Sequence, residues 1–255
     1  MKRPRPPIVT LLTDFGSLDP YVAEMKGVLL AGCPDVTIVD ITHEVPPFDI
    51  RAASHLLERA VPSGPAGTVH VGVVDPGVGS DRDGLLVRTG FGDLVGPDNG
   101  LFDPFLDAGQ ARVLDVERLS AGSAAPTFHG RDLFAPAAAR LARGDDPASF
   151  TGAAARPARL PPAGPEPRIL HIDRFGNCIT SLRPADLGEG PVTVEAGGHR
   201  IGLVARTFAQ APEGQPVLVA GSSGRIEIVI REASAADILG LTCSTRIRLL
   251  HEEPS

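Results

Sequence analysis

Apolar positions follow two different rhythms along this chain, and the change of rhythm divides it. Ile8 to Leu12 is a short apolar run ending in Thr13-Asp14-Phe15-Gly16, the pattern of a buried strand that opens into a loop. Asp19-Pro20 reads as an N-cap followed by proline at the first helical position, with a helix over Tyr21 to Ala31 stopped at Gly32. Val36 to Ile41 reads as a second strand. Asp49 caps a helix over Ile50 to Ala60, in which Ile50, Ala53, Leu57 and Ala60 share a face. Thr68 to Val74 is a third strand. This alternation predicts βαβ units around a mainly parallel sheet with helices on both faces.

The pattern then loosens. Leu85 to Thr89 and a stretch within Arg112 to Leu119 read as strands, and Gly96-Pro97-Asp98-Asn99-Gly100 as a dense turn. Phe134 to Arg143 is alanine-rich and helical in propensity. Residues 144–167 are poor in large apolar side chains and rich in Ala and Pro, the composition of a semi-rigid connector. From Arg168 the rhythm becomes that of short strands, at 169–172, 192–195, 199–204, 216–219, 225–230 and 245–250, separated by Gly, Pro, Asn and Ser. That pattern predicts a small β-barrel or sandwich. The expected organisation is an α/β domain over 1–143, a connector over 144–167 and an all-β domain over 168–255.

Composition narrows the function classes. The formal net charge is −7, so there is no basic face to draw in nucleic acid. Cys33, Cys178 and Cys243 form neither a CxxC nor an even framework, which points to a reduced, cytoplasmic protein. No apolar run is long enough for a signal peptide or a membrane span.

Candidate chemistry falls in loops that follow strands. These are TDFG with Asp14, DPGVGSDR with Asp75 and Arg82, PDNG with Asp98 and Asn99, and FHGRD with His129. Ligands favour strand ends in α/β folds, so Asp14 and Asp75 are expected to open on one sheet edge. A carboxylate, a fixed cation and a histidine together can hold and polarise a water. Taken singly, His129 reads equally well as a satisfied, partly buried histidine, Arg82 as a surface arginine, and Asp75 as a solvated turn residue. A divalent metal held by Asp14, Asp75, Asp98 and His129 would instead give a phosphohydrolase. No histidine pair has zinc-ligand spacing, no GxxxxGK[ST] is present, and no GxSxG elbow supports a serine hydrolase. In the all-β part, Asp173, Phe175 and Asn177 offer an acceptor, a stacking face and an amide, or simply a chain reversal at Gly176-Asn177. Gly221-Ser222-Ser223-Gly224 offers backbone N–H groups to an anion, or is a turn.

Six motifs occur in register: TLLTDFG…DPYVAEMKG, VDPGVG, PDNGL, TFHGRDLFAP, DRFGN and GSSG…IE. Together they resemble the S-adenosyl-L-methionine hydroxide adenosyltransferase family, relatives of the bacterial fluorinase and chlorinase. The resemblance runs from about Ile8 to Leu250. It implies an N-terminal α/β domain, a C-terminal β-barrel, and a homotrimer with active sites between subunits. It also implies attack of water, as hydroxide, on ribose C5′ of S-adenosyl-L-methionine to give adenosine and L-methionine, with no cofactor and no metal. By the same resemblance Asp75, Arg82 and His129 activate the water and Asp14 holds the ribose. Asn177 and Ala233 meet the adenine, and Phe175 and Phe208 stack on it. Tyr21, Asp173 and Ser223 fall near the methionine moiety, Phe48 beside the ribose, and Ser222 among the substrate-binding residues. The halogenases carry Tyr where Asp75 stands, and the fluorinase a Ser in place of Gly130, so hydroxide is expected as the nucleophile. Glu232 departs from the family, where some relatives have Asn or Gly. The other readings are a non-catalytic binder of adenosine or S-adenosyl-L-methionine, and a halide-using enzyme.

Overall fold

Two fully apolar strands build the middle of the first unit. β1 (Ile8–Thr13) and β3 (Thr68–Val73) are buried almost throughout, as interior strands of a parallel sheet must be. They pair in parallel from Val9 opposite Val69 to Thr13 opposite Val73. The loops carrying Asp14 and Asp75 therefore leave the same sheet edge, as expected. The computed structural model describes residues 6–120, 125–161, 166–188, 190–243 and 245–251, and it divides into units spanning Met1–Leu160 and Pro161–Ser255.

The first unit's sheet also contains β2 (Thr37–Thr42), β4 (Gly84–Arg88), β5 (Gly92–Pro97), β6 (Gln110–Leu114) and β7 (Thr151–Ala154), in the order β2-β1-β3-β5-β4-β6-β7. Only β4 and β7 run against the common direction. Helices α1 (Tyr21–Gly32) and α4 (Ala135–Arg143) cover one face through Met25, Leu29, Ala135 and Ala138. Helix α2 (Ile50–Ala60) covers the other through Ala52, Ala53 and Leu57. Its cap is the expected one: Asp49 accepts the Ala52 N–H at 2.9 Å. Within the sheet, His70 Nδ1 lies 2.8 Å from Thr10 Oγ1, and burial holds the ring's pKa down to about 4.

Several expectations need correction. Asp19 does not cap α1; Pro20 occupies the cap position and makes no side-chain hydrogen bond there. The strand expected within 112–119 ends at Leu114, because Asp115 accepts the Arg118 N–H at 3.1 Å and starts a short helix, α3 (Val116–Ser120). Much of the expected connector is folded. Arg112 donates to Thr151 Oγ1 at 2.9 Å and to the Gly152 carbonyl at 2.8 Å, fastening β7 to the sheet edge. Residues 162–165 of that stretch lie outside the described residues.

The second unit contains β8 (Ile169–Ile172), β9 (Cys178–Thr180), β10 (Val192–Ala196), β11 (His199–Ile201), β12 (Val204–Ala205), β13 (Pro216–Ala220), β14 (Ile226–Ile230), α5 (Ala235–Leu239) and β15 (Ile247–His251). Its strands form two sheets, β11-β10-β15 and β12-β13-β14-β9-β8, bridged at Arg168–Arg246, which matches the sandwich alternative and not a closed barrel. The physical reason is that both sheets bury the same core. Val194, Ile201 and Ile247 meet Ile169, Leu218 and Ile228, so face-to-face packing removes the apolar surface without ring closure. The strand expected over 199–204 breaks at Gly202-Leu203, leaving His199–Ile201 in one sheet and Val204–Ala205 in the other.

Candidate active site

Just after β3 the chain turns through Asp75-Pro76-Gly77-Val78-Gly79. Gly79 has φ +81°, and a Cβ there would stand 2.8 Å from the Pro126 carbonyl oxygen. Only glycine permits both that backbone and that approach. The approach brings the segment before His129 against the Asp75 loop. His129 in turn precedes a π-turn over Gly130–Phe134 that feeds α4, an irregularity common at functional sites.

The three expected catalytic side chains meet. Arg82 Nε donates to Asp75 Oδ1 at 3.0 Å and Arg82 Nη2 donates to Asp75 Oδ2, a bidentate ion pair whose side chains are 9% and 5% exposed. The same Nη2 donates to His129 Nδ1 at 2.8 Å. Arg82 Nη1 donates to the Asp83 carbonyl at 3.2 Å, and the guanidinium lies 5.4 Å from the centre of the Phe134 ring. An arginine has no acceptor, so His129 Nδ1 must accept and the neutral ring carries its proton on Nε2. Burial lowers the His129 pKa from its ordinary value and the Arg82 charge lowers it further, with Asp75 and Asp132 opposing. The cluster is therefore an anion and a neutral imidazole around one guanidinium.

Asp75 and His129 open into a cavity of about 550 Å³, a size that suits a small-molecule ligand. Asp14, Tyr21 and Phe48 line it as well, while Arg82 stands behind the wall. Asp14 Oδ2 accepts the Phe48 N–H at 2.8 Å. That bond holds Phe48 at φ +67°, a left-handed backbone that costs a side-chain-bearing residue roughly 1–2 kcal/mol. Strain of this kind concentrates at ligand clamps. Sequence reasoning passed over Phe15 and Phe128, which neighbour Asp14 and His129 in the chain. With Tyr21 they form an edge-to-face trio at centroid distances of 5.7, 5.8 and 5.3 Å. It also passed over the Arg131–Glu24 ion pair at 2.7 Å on the same wall. A glutamate one turn into a helix gives no sequence cue to a partner 107 residues away.

The alternative metal set does not assemble. Asp75 is paired through both oxygens with the cationic Arg82, whose charge opposes a metal ion there, and Asp98 lies off the cavity, accepting the Ala158 N–H at 2.7 Å. Burial raises the Asp98 pKa. Among the described residues no group of three or more His, Cys, Asp or Glu side chains is placed to hold a metal ion.

In the second unit the DRFGN turn is closed on itself. Asp173 Oδ1 accepts the N–H groups of Phe175 and Asn177, both at 2.9 Å, and Oδ2 accepts from Asn177 Nδ2 at 3.0 Å. Gly176 has φ +82°, and a Cβ there would stand 2.1 Å from Ser234 Oγ. The turn leaves Phe175 76% exposed and Asn177 9% exposed. Phe208 is half-exposed, Ser222 is exposed, and Ser223 Oγ is buried with no hydrogen-bond partner among the described residues. Ala233 follows Glu232, whose φ is +57°. Asn and Gly suit that conformation better than Glu does.

Residues 9–151 match the model of the SAM hydroxide adenosyltransferase N-terminal domain, and residues 167–248 match that of its C-terminal domain. The chain is 44% identical over 260 residues to the (R)-S-adenosyl-L-methionine hydrolase of Thermus thermophilus, covering 95% of this chain and 99% of the relative. It is 26% identical to the fluorinase of an Actinoplanes species, over 90% of this chain and 93% of that protein. A crystal structure of a conserved protein from Thermotoga maritima superimposes with a TM-score of 0.86 at 31% identity, over 95% of this chain and all of that one. Two domain models in the expected order, and a relative 44% identical over almost the whole chain, lead to one assignment: the chain belongs to the SAM hydroxide adenosyltransferase family.

Proposed function

We propose that the protein hydrolyses S-adenosyl-L-methionine to adenosine and L-methionine by attack of water on ribose C5′. The observation that carries this reading is the convergence of Asp75, Arg82 and His129 at one wall of a cavity otherwise lined largely by apolar and aromatic groups. The C5′–O bond forms as the C5′–S bond breaks, and the bonding pair leaves with sulfur as the neutral thioether of methionine. The attacking oxygen passes its proton to the Asp75 carboxylate, so that the carboxylate's negative charge and the sulfonium's positive charge disappear together. A sulfonium needs no acid to leave, so the protein's work is to orient the water and accept its O–H. Asp75 keeps lone pairs for that purpose beyond those used by Arg82. Arg82 fixes the carboxylate in direction and spares it from standing as an isolated buried charge. His129, neutral with Nε2–H, braces Arg82 and can donate to the same water. Removing water around the sulfonium favours a step in which opposite charges cancel.

In this reading Asp14 and Phe48 hold the ribose, while Tyr21 lies toward the methionine end. Asp173, through the turn it holds, positions Asn177 for the adenine, with Phe175 and Phe208 as stacking faces and Ala233 offering backbone to its edge. Ser222 and Ser223 take the amino-acid end, which the unpartnered Ser223 hydroxyl supports. A homotrimer with shared sites belongs to the same proposal, and its support is the exposure of Phe48, Phe175 and Phe208. A cytoplasmic location is proposed from Cys33, Cys178 and Cys243, which make neither a CxxC nor an even framework in the sequence. Among the described residues no helix is long and apolar enough to cross a membrane.

The test is chromatographic. Purified protein with S-adenosyl-L-methionine should release adenosine, with or without chloride. Adenosine no faster than in buffer, or a chlorinated nucleoside in its place, would contradict the proposal.

A further inference from the structure

Beneath the Asp14 loop lies a second chain of polar side chains that stays off the cavity wall. Thr13, the last residue of β1, is fully buried, and its Oγ1 lies 2.9 Å from His43 Nδ1. His43 Nε2 stands 3.1 Å from Asp40 Oδ1, close but poorly aligned for a hydrogen bond. Lys26 Nζ donates to Asp40 Oδ2 at 2.6 Å. Thr13 Oγ1 also accepts the Phe15 N–H at 3.2 Å, and the His43 carbonyl accepts the Gly16 N–H at 2.8 Å.

The chemistry of the ends sets the direction of the whole chain. Lys26 can only donate, so Asp40 accepts. Burial would raise the Asp40 carboxyl, but Lys26 and His43 outweigh it and hold it below its usual value, so it is an anion at neutral pH. An anion beside Nε2 favours the tautomer with its proton there. In the neutral ring Nδ1 is then bare and must accept, so the Thr13 hydroxyl donates to it. That turns the hydroxyl's lone pairs toward the Phe15 N–H. The four side chains lock the backbone at Asp14 and Phe15, both of which line the cavity. The His43 end continues to Phe48, whose N–H binds Asp14 itself.

We propose that Asp40, His43 and Thr13 are positioning residues that set the Asp14-Phe15 wall, and so govern how tightly substrate is held and not how fast it reacts. The inference rests on reading the cavity as the S-adenosyl-L-methionine site. Among the described residues no hydrogen bond joins Asp75, Arg82 or His129 to Thr13, His43, Asp40 or Lys26, which is why loss of this brace should show in KM.

Two measurements on the full chain test it. Nitrogen NMR of the wild-type imidazoles, with His43 assigned by its disappearance in His43→Gln, should show the Nε2–H tautomer at neutral pH, and Asp40→Ala should weaken that preference. An Nδ1–H form in the wild type would overturn the proposal whether or not the protein turns over S-adenosyl-L-methionine. In steady-state kinetics, Thr13→Val should raise KM about tenfold, the loss of one buried hydrogen bond, with kcat within about threefold. Thr13→Ser should restore KM to within about twofold of wild type. Where Thr13→Val folds poorly, Asp40→Ala, at a half-exposed position, should give the same split. An unchanged KM, or a fall in kcat matching that of Asp75→Asn, would refute the assignment. A wild-type protein with no turnover would instead sink the reading of the site, leaving the tautomer measurement to decide the brace.

Discussion

Asp75 and Asp173 occupy the same kind of place, a turn after a β-strand with a glycine close behind, yet they end in opposite situations. The oxygens of Asp75 are answered by Arg82, seven residues on, and through it by His129, a further 47 residues along. Those of Asp173 are answered within four residues, by the backbone and amide of its own turn. One carboxylate is tied to distant segments and faces a cavity; the other is consumed as scaffold. The pattern strand, acid, glycine does not distinguish a reacting group from a brace. What distinguishes them is which group supplies the hydrogen bonds, and from how far along the chain.

The comparison breaks most sharply at Arg82. Arg82→Met keeps the bulk but strands a buried anion, and kcat/KM is expected to fall on the order of 10²- to 10⁴-fold, with a lower melting temperature. Arg82→Lys keeps the charge without the fork and should recover only part of the rate. Full activity in Arg82→Met would show that the distant pairing is ornamental.

The next effect is on pH dependence. His129 must be neutral to accept from Arg82, and its pKa is lowered by burial first and by Arg82 second. The neutral form therefore persists to lower pH than for an ordinary histidine. The rate should hold as pH falls through about 6.5 and decline only below it, by about tenfold per pH unit at the limit. An inflection at or above the ordinary value would mean that Arg82 does not hold the ring. The same fold-lowered pKa makes the unfolded chain the better proton binder there, so this group's contribution to stability is present above about 6.5 and lost as pH falls toward its folded value.

Asp173→Ala tests the other side. It should loosen only the local turn, raising KM about tenfold while kcat stays within about threefold, read by steady-state kinetics. A collapse of kcat would place Asp173 at the chemistry. The smallest effect is expected at Glu232. Replacing it by glycine relieves the positive φ, and the entropy cost of glycine offsets part of the gain. A rise of roughly 1 kcal/mol or less, seen as a slightly higher melting temperature, is expected; a fall would show that the Glu232 side chain stabilises the turn.

The parts of this molecule that the sequence made legible are those whose cause is local. The Ile50–Ala60 helix was readable because Asp49 caps it and its apolar face repeats with helical spacing. The common edge of Asp14 and Asp75 was readable because each follows an unbroken apolar run, the mark of a strand inside one covered parallel sheet. The meeting of Asp75, Arg82 and His129 entered through motif resemblance, since nothing in the spacing of Arg82 and His129 brings them together. The β7 strand was not readable, because it depends on a partner far along the chain, Arg112. The choice between barrel and sandwich was left open for the same reason, since it rests on a core shared by Val194 and Leu218. The closed network of Asp173 was hidden for a different reason. A turn and a binding site ask for the same residues, and only hydrogen-bond geometry tells them apart.

The central claim is that water, oriented by Asp75 and its distant partners, becomes the 5′ oxygen of adenosine. A single-turnover reaction in ¹⁸O-water, analysed by mass spectrometry, tests it most directly. Adenosine should carry one ¹⁸O at C5′ and methionine none, with the labelled product slowed about as much in Asp75→Asn as in Arg82→Met. Unlabelled adenosine, or a labelled product formed equally fast by the Asp75 variant, would contradict it.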